Sequence, residues 1–249
     1  METGRSLKDS QIIILGICIS VATIAASLIL AKGFMAVVKF DQQVVTVTGS
    51  AQKNIKSDKI VWKSSFGRRG QDLPTGYKEI REDLDKVRKY LMDQGVTENE
   101  IIIQQIVTEK VYKKTGEGND TNEIDYYTLT QPIEVWSSQV DKVAAISRGS
   151  TDLINQNIAF ESHVPEYYYT KLDALKIEML ALAAENAKQR AENMVKATGN
   201  KIGFIRSAKM GVFQITPINS TEVSGEGEND TSALEKKVTA VVNAAFSIE

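Results

Sequence analysis

An uncharged run near the amino terminus decides where the rest of this chain can fold. Residues 12–31 read IIILGICISVATIAASLILA, and none of these 20 residues carries a charge. As a helix with a rise of 1.5 Å per residue, the run reaches about 30 Å, the thickness of the hydrocarbon core of a bilayer. It predicts one transmembrane helix, held in lipid by the apolar side chains Ile12, Leu15, Ile19, Ile24, Leu28 and Leu30.

Two other interpretations fit this run less well. The buried helix of a soluble domain is usually shorter. A cleaved signal peptide has an apolar region of about 7–15 residues and a cleavage site of small residues. The run is longer than that, and it ends in Ala31-Lys32-Gly33, which is a poor cleavage site. We therefore expect the helix to be retained as an anchor.

The anchor divides the chain into four parts. We expect a cytoplasmic tail over residues 1–11, a transmembrane helix over 12–31, a linker over 32–43 and an extracytoplasmic domain over 44–249. Basic residues balance across the span, with Arg5 and Lys8 before it and Lys32 and Lys39 after it. The shortness of the tail is thus the basis for the expected orientation, with a periplasmic domain on the inner or plasma membrane.

Composition excludes several kinds of chemistry. The net charge of -2 argues against a nucleic-acid-binding protein, since such proteins usually carry a basic patch. One Cys cannot form an internal disulfide or a multi-cysteine zinc site, and one His cannot form a histidine metal cluster. Beyond residue 40 the chain holds 26 basic and 30 acidic residues, so the domain as a whole should not be drawn strongly to an anionic membrane.

Hydrophobic periodicity predicts an α+β domain with mixed β-sheet, because strands and helices alternate along the chain. Tyr77, Ile80, Leu84, Val87 and Leu91 indicate an amphipathic helix that ends at Gly95. Pro132 predicts a bulge or a sheet edge, and Ser137 or Ser138 should cap a helix. Strands are expected over residues 44–49, 59–66, 101–112, 124–136, 157–163, 201–213 and 236–249, and further helices over 138–148 and 166–198.

The second of those helices suggests self-association. Its 33 or so residues would span roughly 50 Å, longer than the roughly 43 Å diameter expected for a compact domain of this size. A helix of that length would protrude or lie across a flattened domain, and we expect it to contact other copies. The candidate contact residues are Tyr167, Tyr168, Ala184, Ala187 and Ala191, and at least one of the three consecutive tyrosines should face the core.

Two acidic, glycine-rich loops and one histidine are the remaining candidates for chemistry. Residues 116–121 and 225–231 could bind a hard cation or serve as solvated connections between strands, and the absence of EF-hand spacing favours connections. His163, beside Pro165, could act as a base with Glu166, but a surface or capping role is more common. We therefore predict no catalytic, cofactor-binding or metal-binding residues.

Several motifs follow one another in an order that is characteristic of one known family. They are VVTVTG at 44–49, Gly95-Val96 after the first helix, Tyr126-Tyr127 with Ile133-Glu134-Val135, alanines along the long helix, and TGNKIG at 198–203. This order resembles the SIMPL-domain family of bacterial periplasmic and envelope proteins, some of which are immunogenic or associated with oxidative stress. The chain departs from the family pattern at Ala51-Gln52-Lys53-Asn54, which lacks the common G-x-G form, and in having a membrane anchor.

The resemblance implies an envelope protein that assembles with copies of itself. Some members of the family form large ring- or barrel-like homo-oligomers, and no catalytic residues can be transferred from the family. We therefore expect a membrane-anchored, non-enzymatic scaffold that forms a ring, shell or cage, with itself and the lipid bilayer as partners and no cofactor. The alternative is an extracytoplasmic module that binds a ligand or partner protein in envelope stress.

Overall fold

The computed structural model describes residues 3–249, with side chains described for residues 14–35 and 43–249. Helix α1 covers Thr3–Gln42 and contains a segment, Ile14–Met35, that is long and apolar enough to cross a membrane. No part of that segment is buried against the rest of the described protein. The side chains of Leu15, Ile19, Ile24, Leu28 and Leu30 are exposed, as an anchor requires, whereas that of Ile12 lies outside the described residues. The predicted linker is helical as far as Gln42, and the domain boundaries remain predictions.

The chain folds into two compact units. The first unit comprises Met1–Gly49, Ala184–Met210 and Val242–Glu249, and the second comprises Ser50–Ala183 and Gly211–Val241. Three continuous elements contribute residues to both units: strand β1 (Val44–Lys56), helix α4 (Leu172–Lys196) and strand β11 (Glu235–Ile248).

A six-stranded sheet forms the centre of the second unit. Strand β2 (Lys59–Gly70) pairs along its whole length with β5 (Asp120–Ser137), and all the strand pairs of this sheet are antiparallel. Strands β3 (Ile101–Ile103) and β4 (Val107–Lys114) pair with the other edge of β5, whereas β6 (Ala159–Ser162) and β7 (Glu166–Tyr168) pair with β2. Helices α2 (Leu73–Asp93) and α3 (Val140–Gly149) cover one face, with short 3-10 helices at Glu98–Glu100 and Ser150–Gln156.

The inward-facing side chains of β2 and β5, at every second position, form the core of the second unit. Every second residue of each strand points to the helices, and the predicted set Ile60, Trp62 and Phe66 is buried. Helix α2 adds the apolar side of its amphipathic surface. It begins after Asp72, whose carboxylate accepts the Thr75 N–H, and it ends before Gly95, which has a φ of 83°. The central core residues are Ile60, Trp62, Phe66, Ile80, Val87, Leu91, Leu129, Ile133, Val135, Val143, Leu153 and Ile158.

Pro132 lies neither at a bulge nor at a sheet edge, and the prediction for this residue was wrong. It pairs with Ser65 in unbroken β2–β5 register. On its other side it faces the break between β3 and β4, where Gln131 donates its side-chain N–H groups to the Gln104 and Pro132 carbonyls. A proline fits a central strand there because no neighbouring strand needs its missing N–H.

Strand β11 organises the second sheet. Within the first unit it pairs with β8 (Ile202–Met210), and within the second it pairs with β9 (Gln214–Pro217), both antiparallel. The short strand β10 (Glu228–Asn229) runs parallel to β9, so this sheet is mixed, and its order is β1-β11-β9-β10 with β8 also on β11. Val238, Ala240, Val242, Ala244 and Phe246 are buried, which confirms the alternation predicted for this strand. The predicted α+β class is confirmed.

The long helix is shorter than predicted. Residues 166–168 form strand β7, and α4 begins only at Leu172, after the Asp58 carboxylate has accepted hydrogen bonds from the Thr170 N–H and hydroxyl. Its 25 residues reach about 37 Å, so the argument that it must protrude no longer holds.

Helix α3 also begins later than predicted. Ser137 accepts the Gln139 N–H, but Gln139 is the N-cap residue, and neither serine takes that position.

Candidate functional site

The tyrosines predicted to contact other copies lie on β7, where neighbouring residues point to opposite faces of the sheet. Tyr167 pairs with Ile60 and packs against the core of the second unit, which confirms that one of the tyrosines faces inward. Its N–H donates to the Thr231 carbonyl at 2.7 Å. Tyr168 pairs with Lys59 and keeps about a third of its surface exposed. Only Tyr168 therefore presents a substantial contact surface.

Tyr168 belongs to a small charged network on that outer face. Its hydroxyl donates to Glu166 Oε2 at 2.5 Å, and Lys63 Nζ lies 3.0 Å from Glu166 Oε1. The bonds from Tyr168 and then from Lys63 lower the pKa of Glu166. The same bond to Glu166 raises the pKa of Tyr168, and Glu166 raises that of Lys63. These shifts move the pKa of Glu166 and the pKa of Tyr168 further from neutral pH, whereas a general acid or base works best with a pKa near the operating pH.

A buried lysine, absent from the predictions, holds the inner side of β7 in place. Lys236 Nζ donates to the Tyr167 carbonyl at 2.6 Å and to the Asp230 carbonyl at 2.5 Å. Its residue is 3% exposed. Burial lowers the pKa of Lys236, and the carboxylate of Asp230 partly opposes that effect. The amino group is satisfied by backbone oxygens, so it ties three segments together and is not presented to a substrate.

The alanines of α4 divide between two faces of the helix. Leu175, Met179, Ala183, Ala187, Ala191 and Val195 follow one another at intervals of four, and all six are buried. Ala187 and Ala191 are fully covered within the chain, so they cannot contact a second copy and are removed from the candidate set. Ala184 is exposed and remains in it. The two tyrosines belong to the second unit and the three alanines to the first.

A different set of α4 residues forms an exposed apolar stripe. Ala174, Ile177 and Ala181 are exposed at intervals of three and four, and Ala184 is the next exposed position in the same series. Ile177 exposes 72% of its surface. Residues at this spacing share one face of a helix, which is the pattern that packs against another helix. We call these four residues the α4 stripe.

The acidic loops and His163 lie at the protein surface. Residues 116–119 lie in the turn that joins the antiparallel strands β4 and β5, with Gly118 at a φ of 88°. In the other loop, Asp230 accepts the N–H groups of Ser232 and Ala233. His163 is exposed, and its N–H donates to the Lys63 carbonyl. Among the side chains that the structure describes, no group of three or more His, Cys, Asp or Glu residues is placed to hold a metal ion.

The largest part of the chain matches one family model. The family is described as "SIMPL: Protein of unknown function (DUF541)", and the match extends over residues 45–246, about four-fifths of the chain. It begins one residue into β1 and ends within β11, so it takes in both units but not α1. No curated protein matches the chain.

Proposed function

Because this chain belongs to the SIMPL family, whose domains are extracytoplasmic, we propose that it is a membrane-anchored, non-enzymatic envelope protein that assembles with copies of itself. In this proposal α1 holds the chain in the inner or plasma membrane, and the domain stands outside the cytoplasm. The assembly is a ring, shell or cage built from many identical contacts.

The α4 stripe is the observation that carries the proposal. The stripe places one isoleucine between alanines on an exposed helix face. The small alanine side chains let a second backbone approach closely around Ile177. Burying the Ile177 side chain contributes about 1.5–3 kcal/mol per contact. A second copy is the occupant that we propose. Two copies of the stripe can pack on each other around a two-fold axis, and this contact joins pairs of copies, which a second contact elsewhere on the domain would link into a ring or shell.

Anchoring strengthens weak contacts of this kind. Copies held in one membrane plane meet at a much higher effective concentration than copies free in solution, so several modest contacts add up to a stable assembly. The proposal therefore needs no large interface on any one copy.

The size of the full-length protein in detergent micelles tests the proposal. We expect mass photometry to show particles of several copies, and Ile177→Glu to shift them to smaller particles, since a charge on the stripe removes apolar contact and adds desolvation cost. Ile154→Glu is the matched control, because Ile154 is 54% exposed on the second 3-10 helix, away from α4.

The possible outcomes test separately whether the protein assembles and whether the α4 stripe is the contact. A wild-type chain that remains a monomer at micromolar concentration would overturn the proposal. Large particles that survive Ile177→Glu unchanged would keep the assembly but exclude the α4 stripe as its contact.

The alternative function, capture of a ligand or partner, has one supporting observation. A cavity of about 490 Å³ in the second unit lies beneath residues 220–224, with Val212 and Val241 in its lining. Gln214 holds that loop by bonding to the Ser224 N–H and carbonyl. The volume is within the range of small-molecule sites. A binding module would stay small until its partner is added, so the same size measurement distinguishes it from a scaffold.

A further inference from the structure

The beginning of β8 lies close to the place where the chain leaves α1. Helix α1 ends at Gln42, and the Gln43 carbonyl accepts the Ile248 N–H of β11 at 3.0 Å. Lys201 and Glu249 then exchange two backbone hydrogen bonds, at 2.9 and 2.8 Å. Neighbouring strands are about 4.8 Å apart, so Lys201 lies about 10 Å from the start of β1.

This end of the first unit exposes large apolar side chains. Phe204 is 77% exposed and Ile205 is 56% exposed, both near the start of β8. Met194, near the end of α4 in the same unit, is also exposed. Among the described strands, β11 is the only one with which β8 pairs. Phe204 in particular is a large apolar group that is left to solvent, and such groups at a surface often mark a place that contacts something other than water.

The first unit is basic, although the protein as a whole is slightly acidic. Outside α1, the described part of the first unit has six basic and three acidic side chains, a net charge of +3, against -2 for the whole chain. The basic residues are Lys188, Arg190, Lys196, Lys201, Arg206 and Lys209, and the acidic ones are Glu185, Glu192 and Glu249. The charge expected for the domain as a whole therefore does not describe this unit.

A cavity between α4 and β8 gathers two of these cations. It has a volume of about 480 Å³ and is lined by Lys196 and Lys201, with Glu192, Gly199, Asn200 and Ile202. Two ammonium groups against one carboxylate favour an anionic group, such as the phosphate of a lipid headgroup.

We propose that this surface, formed by Lys196, Lys201 and Phe204, rests on an anionic bilayer beside the anchor. Phe204 enters the interfacial layer while the two lysines contact lipid phosphates, the combination used by amphipathic segments that lie on membranes. Residues 36–42 continue α1 for about 10 Å beyond Met35, enough to cross the headgroup layer before β1 begins. The inference depends on the proposed role of α1 as a membrane anchor.

Site-directed fluorescence in vesicles tests this surface with the full-length chain. Cys18, the only cysteine, is first replaced by alanine, and a nitrobenzoxadiazole label is attached to Phe204→Cys. The protein is reconstituted into phosphatidylcholine vesicles with and without phosphatidylglycerol, each containing headgroup-spin-labelled lipid. Met210→Cys, 55% exposed at the other end of β8 in the same unit, is the matched control. Phe204 is itself 77% exposed, so the label there replaces no core contact.

We expect the spin-labelled lipid to quench the label at 204 severalfold more than the label at 210, and more strongly with phosphatidylglycerol present. Lys196→Gln with Lys201→Gln should lower the equilibrium constant for this contact by about fivefold per lysine removed. Equal, weak quenching at both positions would overturn the proposal. So would a label at 204 that is shielded in detergent, together with disulfide crosslinking of the unlabelled Phe204→Cys variant to another copy, because β8 would then be covered by a second chain.

Flotation of the vesicles at alkaline pH separates the two proposals. Protein that floats with a water-exposed label at 204 retains its anchor but does not rest on the bilayer. Protein that fails to float lacks the anchor, and both proposals fall together.

Discussion

At the scale of single residues, the sequence pattern predicts the burial of Lys236 but not its hydrogen-bond partners. It stands two residues before Val238 on β11, so the alternation that buries Val238, Ala240 and Val242 assigns it to the interior as well. The pattern could therefore have revealed a buried lysine. Its partners could not be predicted, because the carbonyls of Tyr167 and Asp230 reach it only after β7 has paired with β2.

Replacing Lys236 with methionine should destabilise the second unit. Met keeps most of the stem volume but leaves the Tyr167 and Asp230 carbonyls buried without a donor, which costs about 2–4 kcal/mol of unfolding free energy. Denaturant unfolding of the full-length protein in detergent, followed by the fluorescence of buried Trp62, measures the change. Lys89→Met on the exposed side of α2 is the control. A loss no greater than that of the control would show that the two bonds contribute little.

The alanines of α4 have the same residue type but differ in burial, and here the sequence pattern would have sufficed to tell them apart. Ala183 and Ala187 belong to a buried series at intervals of four, whereas Ala181 and Ala184 are exposed. The 3.6-residue period of a helix separates these series, and Leu175 and Met179 show which of them faces inward. The candidate contact residues could have been sorted in this way before the structure was known.

At the scale of elements, α2 is joined to its sheet by an ion pair as well as by apolar contact. Asp83 is 1% exposed, and it accepts two hydrogen bonds from Arg68 of β2, at 2.5 and 2.9 Å. Lys86 lies farther away, at 3.4 Å. Arg68 shares the inward side of β2 with Trp62 and Phe66, so the pair lies where the helix meets the strand.

Asp83→Ala should weaken this contact strongly. It leaves the Arg68 guanidinium partly buried without its partner, which costs about 3 kcal/mol of unfolding free energy. Asp85→Ala, on the exposed side of the same helix, should change stability by less than about 0.5 kcal/mol. Arg68→Met combined with Asp83→Leu should recover much of the loss, measured by the same unfolding curves. If the double variant is no more stable than Asp83→Ala, the pair contributes through geometry that apolar packing cannot replace.

Elements defined by local periodicity could be predicted, and those defined by distant pairing could not. Helix α2 and strand β11 follow from their own residues. Strand β7 does not, because Glu166–Tyr168 reads as the start of a helix until it meets β2, about 100 residues earlier in the chain. The same limit applies to Pro132, whose place in a central strand depends on the gap between β3 and β4.

At the scale of the whole molecule, the anchor carries a direct prediction. Ile24 lies near the middle of Ile14–Met35 and is exposed along α1. Ile24→Arg should reduce membrane insertion, because a charge at the centre of a transmembrane helix costs about 2.5–3.5 kcal/mol. The fraction of protein that resists alkaline extraction from membranes measures this, with Lys32→Arg as the charge-conserving control. Equal extraction of the variant and the wild type would show that α1 does not cross the bilayer.

The net charge of the whole chain does not predict the net charge of each unit. The chain is acidic overall, yet its fold assembles a basic unit from residues 184–210 together with both ends of the domain. That grouping depends on β8 and β1 both lying against β11, which no local pattern specifies.

One residue, Gln43, separates the end of α1 from the start of β1. So short a joint leaves only a few backbone torsions to absorb a change in direction, and the Gln43 carbonyl is itself held by Ile248. A thinner bilayer tilts a long transmembrane helix, and here that tilt would be passed to the sheet with little slack. Distances between spin labels in nanodiscs of differing lipid length would record it, and an unchanged sheet direction would argue against it. With α1 in a bilayer, the joint would make the direction of the first unit's strands report on membrane thickness.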